Sequence, residues 1–309
     1  MLRNFILAFF IVAGFADLVA QNIIDAKTAT VVSYWNVGDA KTYQLDRTKT
    51  GRKNSKATMF LDLHVLEGTD STYTIALHYR DMKVLDELPA DENAAQAILK
   101  VMKSVDGMRV VATTTATGSF LEVINGEEIK QHCDKIIQGI LDLSTSAEER
   151  EKMKAAFGKL ITPETMAMTA SEDLSYLLFP FGVEYTLGKH ESGKTELPNP
   201  LGGEPIPAVI EVEMTGLDTT LAKATFHASQ RVDPANLSAS VTRMVETMGG
   251  TLSGKEKKEF EKVVRDMRVS DVFDFEVDLG GAWVREGKCV RTVSMMDQVQ
   301  TDERRYTLQ

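Results

Sequence analysis

A β-turn-β segment that occurs twice constrains the fold of this chain more than any other feature. The first copy runs from Met108-Arg109-Val110-Val111 through Thr113, Thr115 and Gly118 to Phe120-Leu121-Glu122. The second runs from Met267-Arg268-Val269 through Phe275, Val277 and Gly280-Gly281 to Trp283-Val284-Arg285. Each is a run rich in β-branched or aromatic residues, a glycine turn, an aromatic residue and a second β-type run. Each also follows an apolar stretch with helical spacing. One structural unit used twice accounts for the pattern, and it speaks to architecture rather than to chemistry.

The segments around it repeat as well. In the first half, Thr30 to Leu45 reads as a bent strand or two short ones broken at Gly38-Asp39. A hairpin follows, with Met59, Leu61, Leu63 and Val65 alternating with polar neighbours, a turn at Glu67-Gly68, and Tyr73, Ile75, Leu77 and Tyr79 on the return arm. Period-two alternation on both arms means one buried and one wetter face. In the second half, Phe179 to Leu187 answers the bent strand, and a hairpin with Ile210, Val212 and Met214, then Ala222, Ala224 and Phe226, answers the hairpin. Val290 to Leu308 reads as closing strands. Helices are expected after caps at Asp91, Asn125, Ser146 and Ser253, and from Thr162-Pro163 and Asp233-Pro234. The Met-Arg-Val triplets lie further apart than the matching His78 and His227, and the extra helix from Asp233 accounts for the gain.

These elements predict an α+β fold: two pseudo-symmetric repeats of mainly antiparallel curved sheet with helices packed on one face. The expected divisions are a signal peptide over 1–20, a first β-rich repeat over 21–126, a helical connection over 127–175 and a second β-rich repeat over 176–309. The signal peptide is read from Arg3, the short apolar run Phe5 to Phe15, and small residues at Ala16 and Ala20, with cleavage after Ala20 preferred to the alternative after Ala16. The run is too short for an ordinary membrane span, and the mature chain has no second one. A secreted or periplasmic location follows. There Cys133 and Cys289 are permitted a disulfide, although two separate buried thiols fit equally well.

Composition excludes one class of partner. The net charge is -10 and the pI near 5.1, and no run of Lys and Arg makes a local basic patch, so nucleic acid is not expected. No cofactor is expected either: the paired glycines are not phosphate-cradling loops, and no Gly-x-Ser-x-Gly elbow occurs. His64 and His78 share the polar side of the first hairpin and make half a zinc or copper site. No third ligand is signposted, and His227 matches His78 while Glu213 replaces His64, so stacked strand histidines are the preferred reading. Asp274, Glu276 and Asp278 share one strand face, with Asp271 nearby, and are weak candidates for calcium or acid/base work. A solvated sheet face is preferred for them too. Fourteen methionines allow an apolar groove between sheet and helices, against the plainer reading that they fill a core.

The signal peptide, the repeated hairpin and the Thr113-x-Thr115-x-Thr117-Gly118-Ser119-Phe120-Leu121-Glu122 segment resemble uncharacterised secreted or periplasmic proteins of Gram-negative bacteria that carry a duplicated β-rich domain. That resemblance implies a distant likeness to lipoprotein carriers, in which a curled sheet shelters acyl chains. It transfers no site residues. The chain departs from the carriers in lacking a lipid-attachment cysteine and in its long helical connection. The expected function is therefore an exported, non-catalytic binding or envelope-associated protein, its partner an apolar ligand or an envelope protein. The alternatives are a hydrolase drawing its acid and base from the Asp274–Asp278 strand or the His78/His227 pair, and a structural protein that self-assembles through a sheet edge.

Overall fold

The computed structural model describes residues 22–51, 54–86, 96, 99, 106–142, 146–148, 150–151, 154, 163–197, 206–233, 237, 254, 266–296 and 298–309. The expected signal peptide, and most of the helices expected from Asp91, Ser146, Asp233 and Ser253, lie outside the described residues.

In chain order the elements are β1 (Thr28–Val31), β2 (Ala40–Thr50), β3 (Ser55–Gly68), β4 (Thr72–Val84), β5 (Arg109–Thr115), β6 (Phe120–Val123), α1 (Gly126–Leu141), α2 (Pro163–Leu178), β7 (Val183–Thr186), β8 (His190–Leu197), β9 (Ile206–Asp218), β10 (Lys223–Val232), β11 (Arg268–Asp278), β12 (Trp283–Met295) and β13 (Gln298–Leu308). The bent first strand is two strands, separated where Gly38 takes φ +94°, a conformation open to glycine at little cost. The alternation in β3 and β4 sorts as read: Leu61, Leu63, Val65, Ile75, Leu77 and Tyr79 are buried. Asn125 stands just before α1, where its backbone carbonyl accepts from the Ile129 amide at 3.2 Å. Its amide donates to the Glu128 carboxylate at 3.0 Å, and its oxygen accepts from the Val111 amide at 2.8 Å, which pins the helix start to β5.

The expected α+β arrangement of two packed modules is not what the chain forms. Among the described residues the protein is mostly strand, with α1 and α2 as its two helices. Eleven strands make one antiparallel sheet in the order β6-β5-β4-β3-β2-β13-β12-β11-β10-β9-β8, and β1 and β7 pair separately. The physical reason lies at β2. After pairing with β3 it has a second, open edge, and an open edge is a template for another strand. β13 fills it, from Leu308 opposite Tyr43 to Thr301 opposite Thr50. The halves are therefore joined by a backbone ladder rather than by packed faces. Within each half the strands follow one another as an antiparallel meander in the same order.

The core lies on the face that carries α2. Cross-strand register sets Leu45, Tyr306, Gly287, Phe275, Phe226 and Met214 in one row across six strands. Gly287 is needed in that row because a Cβ there would stand 3.0 Å from the Phe275 ring. Phe179, just past α2, stacks on Phe273 and Phe275 with ring centres 5.3 and 5.7 Å apart. Leu174, Leu177 and Leu178 complete the layer. Met59, Met108 and Met214 are buried in this core, the plainer of the two readings for methionine. Among the described residues no helix is long and apolar enough to cross a membrane.

Candidate functional site

Four residues along the strands from the aromatic row, the helix-bearing face turns ionic. Lys49 on β2, Asp302 on β13, Arg291 on β12 and Asp271 on β11 are register neighbours, so charge alternates in sign across four strands. Helix α2 completes the cluster with Glu172, Asp173 and Tyr176. Asp173 accepts from the hydroxyls of Tyr79 and Tyr306 at 2.8 and 2.7 Å and from Arg304 Nη1 at 2.8 Å. Arg304 Nη2 also donates to Glu172. Arg291 holds Asp271 through Nε and Nη2, both at 2.8 Å, and reaches Glu172 through Nη1 at 2.5 Å. Arg47 grips Asp302 with Nε and Nη2.

The electrostatics follow from this pairing. Burial alone would raise the Glu172 and Asp302 carboxyls, but the guanidiniums outweigh it and hold both below their ordinary values: Arg304 and Arg291 for Glu172, Arg47 for Asp302. Burial pushes the hydroxyls of Tyr79 and Tyr306 well up, and the Asp173 charge adds to the effect. Among the described residues, no side-chain polar atom that is fully buried lacks a hydrogen-bond partner. The gap between Tyr176 and the strands measures about 10 Å³, room for about one water. At this place the groove expected between sheet and helix is filled, and the cluster acts as a clamp.

A larger opening lies at the other end of the strands. The β9–β10 and β11–β12 turns have the same form, Asp218 to Ala222 and Asp278 to Ala282. Asp218 Oδ1 accepts from the Thr220 and Leu221 amides, and Asp278 Oδ1 from the Gly280 amide, each at 2.9 Å. Each turn closes on an alanine with positive φ, +48° at Ala222 and +53° at Ala282. The turns lie side by side, joined by the Leu279 amide to the Ala222 carbonyl at 2.7 Å. With the 34–41 segment they enclose a cleft of about 620 Å³ lined by residues including Tyr34, Lys41, Leu221, Trp283 and Leu308. Trp283 stacks on Trp35 at 4.8 Å, and Trp35 Nε1 donates to the Ala282 carbonyl at 2.8 Å, which fixes the floor. The Lys41 ammonium stands 5.8 Å from the Trp283 ring centre, and Leu221 is 67% exposed at the rim.

Of the residues singled out from the sequence, His64, His78, His227, Asp274 and Glu276 lie on the opposite, outer face. His64 and His78 are diagonal neighbours: the strand partner of His78 is Asp62, and that of His64 is Ala76. Their rings meet edge to face at 5.8 Å. Burial, with the Arg109 charge behind it, lowers the His78 pKa. Asp62 is already taken by Arg80 at 2.5 Å and by Thr42 at 2.6 Å. His227 meets Asp274 at 2.8 Å, and no serine, threonine or cysteine among the described residues hydrogen-bonds it. Glu276 pairs with Lys223 at 3.0 Å, and Asp278 serves its turn. Asp271 has the other parity and points into the ionic cluster. Among the described residues no group of three or more His, Cys, Asp or Glu is placed to hold a metal. Cys133 and Cys289 are both buried and form no disulfide with each other.

Sequence reasoning missed the ionic cluster. Its signal was parity: Asp271 shares the apolar parity of Phe273, Phe275 and Val277, and Asp302 and Arg304 share that of Tyr306. A charged residue on the buried side of a strand requires a partner.

No family model matches the chain, and no curated protein matches it, so the family resemblance rests on the sequence pattern alone. Among solved structures the chain is similar to one described as "Lipid-protein interactions in lipovitellin", with a TM-score of 0.43 and 9% identity. The match covers 89% of this chain and 25% of the other, so the chain spans about a quarter of that protein's length.

Proposed function

We propose that this protein is an exported, non-catalytic binding protein that takes an amphipathic ligand in the cleft beside Trp283. The observation that carries the reading is the cleft itself: about 620 Å³ of open space, bounded by paired turns on a rigid sheet. Clefts of this size suit small ligands, and loops set on a rigid scaffold are where binding residues concentrate. Leu221, Leu308 and Trp283 offer an apolar wall, and Lys41 a cation at its edge. The site lies at the turn end of the sheet rather than between sheet and helix. Among the described residues no serine, threonine or cysteine hydrogen-bonds His227 of the half-exposed His227–Asp274 pair, so that pair lends the hydrolase reading no support.

The test is titration of the purified protein with an anilinonaphthalene sulfonate probe, read by probe emission and by quenching of tryptophan. Saturable binding that weakens about tenfold or more in Leu221→Asp, with circular dichroism unchanged, supports the proposal. Leu221 is exposed, so the variant folds. Absence of saturable binding, or equal binding by Leu221→Asp, overturns it. Export is checked separately by fractionating the native host: recovery of the chain from the cytoplasm, starting at Met1, overturns that part.

A further inference from the structure

A second opening lies at the far end of the ionic row, on the face that carries α2. It measures about 400 Å³ and is lined by Lys49, Thr50, Arg291, Val293, Gln300, Thr301 and Asp302. Register places Lys49, Asp302 and Arg291 on one face, with Val293 and Gln300 paired one step further along it. Thr50 and Thr301 have the opposite parity and bond each other at 2.6 Å.

Four cations, Lys49, Arg47, Arg291 and Arg304, meet four carboxylates, Asp302, Glu172, Asp173 and Asp271, but they share them unevenly. Arg304 has Glu172 and Asp173 as partners, and Arg291 has Asp271 and Glu172. Arg47 and Lys49 are left to share one carboxylate, Asp302. Arg47 takes both of its oxygens; the Lys49 ammonium stands off at 3.8 Å, beyond hydrogen-bond reach. Lys49 is thus a loosely held cation beside the cleft, its nearest carboxylate shared with Arg47. Arg291 adds one donor, because Nη1 has two hydrogens and Glu172 takes one. The Gln300 amide brings further donors. Val293 and the methylene stems of Lys49, Arg291 and Gln300 make the rest of the wall apolar.

We infer that this opening is a binding site for an oxyanion carrying a short apolar tail, the oxyanion held by Lys49 with Gln300 and Arg291, and the tail laid against Val293. The loosely held ammonium selects the charge, and the apolar wall selects against a bare inorganic ion. Burial of its stem and the nearby Arg47 charge lower the Lys49 pKa, so binding weakens with rising pH sooner than it would at a fully exposed lysine. The inference does not rest on the Trp283 cleft, which lies at the opposite end of the strands.

Isothermal titration of the purified protein with decanoate, below its micelle-forming concentration, tests it. Decanol removes the charge from the probe, and inorganic phosphate removes the tail. Saturable binding of decanoate alone is the expected result, weakened about tenfold or more in Lys49→Gln. Lys49 is about half exposed, so Lys49→Gln is expected to fold, which circular dichroism checks. Val293→Ser is a second variant, expected to weaken decanoate binding without producing binding of phosphate. The inference is overturned if decanoate does not bind, if decanol or phosphate binds as tightly, or if Lys49→Gln leaves decanoate unaffected. All decanoate titrations are made in the Leu221→Asp background, which removes the Trp283 cleft from the reading, so failure of either site is read independently of the other.

Discussion

Removing the Asp173 carboxylate is the sharpest test of the buried clamp. Asp173→Ala deletes the acceptor of three hydrogen bonds at once, from Tyr79, Tyr306 and Arg304. Both tyrosines are almost wholly buried, and each hydroxyl left without a partner costs about 1–3 kcal/mol. Arg304 keeps Glu172, so its charge is only partly uncompensated; breaking a buried ion pair outright costs about 3–5 kcal/mol. The terms share atoms and do not add. A total loss of about 4–5 kcal/mol is therefore expected, a large part of the roughly 5–15 kcal/mol typical of a folded protein. Asp173→Asn keeps one acceptor oxygen and should cost about half as much. Tyr306→Phe should cost about 1 kcal/mol in the native background, and nothing in the Asp173→Ala background, where the hydroxyl has already lost its acceptor. Urea unfolding followed by circular dichroism reads these as midpoint shifts at constant slope. A cost under about 1 kcal/mol for Asp173→Ala, or an equal cost of Tyr306→Phe in both backgrounds, would refute the clamp.

Three further outcomes are expected. Glu172 and Asp302 are held below their ordinary values of 4.5 and 3.8, so their contribution is complete above those values and is lost as pH falls through the lowered ones. Thermal unfolding across pH 2–7 should show this acid limb, and Glu172→Gln should flatten it. Burial pushes the Cys289 thiol well above its ordinary range, and Cys133 is equally buried; iodoacetamide should modify neither until denaturant is added, and a reductant should leave the non-reducing gel mobility unchanged. Gly182 has φ +85°, and a Cβ there would stand 2.1 Å from the Ser119 hydroxyl, whereas Gly188 at φ +72° has open space around it. Gly182→Ala should therefore cost clearly more than the roughly 1 kcal/mol expected of Gly188→Ala, with denaturant midpoints as the measure.

The strands were legible because their period is local. Met59 to Val65 and Ile75 to Tyr79 name their buried face in the order of their residues, and Gly38 names the break before β2. The joining of the halves was not legible, since no residue near Tyr43 or Leu308 says that these segments, far apart in the chain, lie side by side. Two repeats read in isolation therefore suggested two modules. The site was harder still. Histidines and a carboxylate strand attracted attention by residue type, yet each acid among them has a basic neighbour or a turn to serve. The informative charges were ordinary in type and unusual in parity, and the alternation that marked their apolar neighbours marked them as well. The paired turns carry a visible spacing, Asp218 to Ala222 and Asp278 to Ala282, but only the fold brings the two together.

The ladder between β2 and β13 also bears on how the chain reaches its native state. Arg47 and Asp302, linked across it, are 255 residues apart in sequence. Pairings so remote close late and slowly, because the intervening chain must be ordered first. During synthesis the first meander therefore spends the longest interval with an open β2 margin, while its future neighbour does not yet exist. Sticky intermediates in this protein should be intermediates of that margin, and a segment copied from Gln298–Leu308, supplied in trans, should compete for it during refolding.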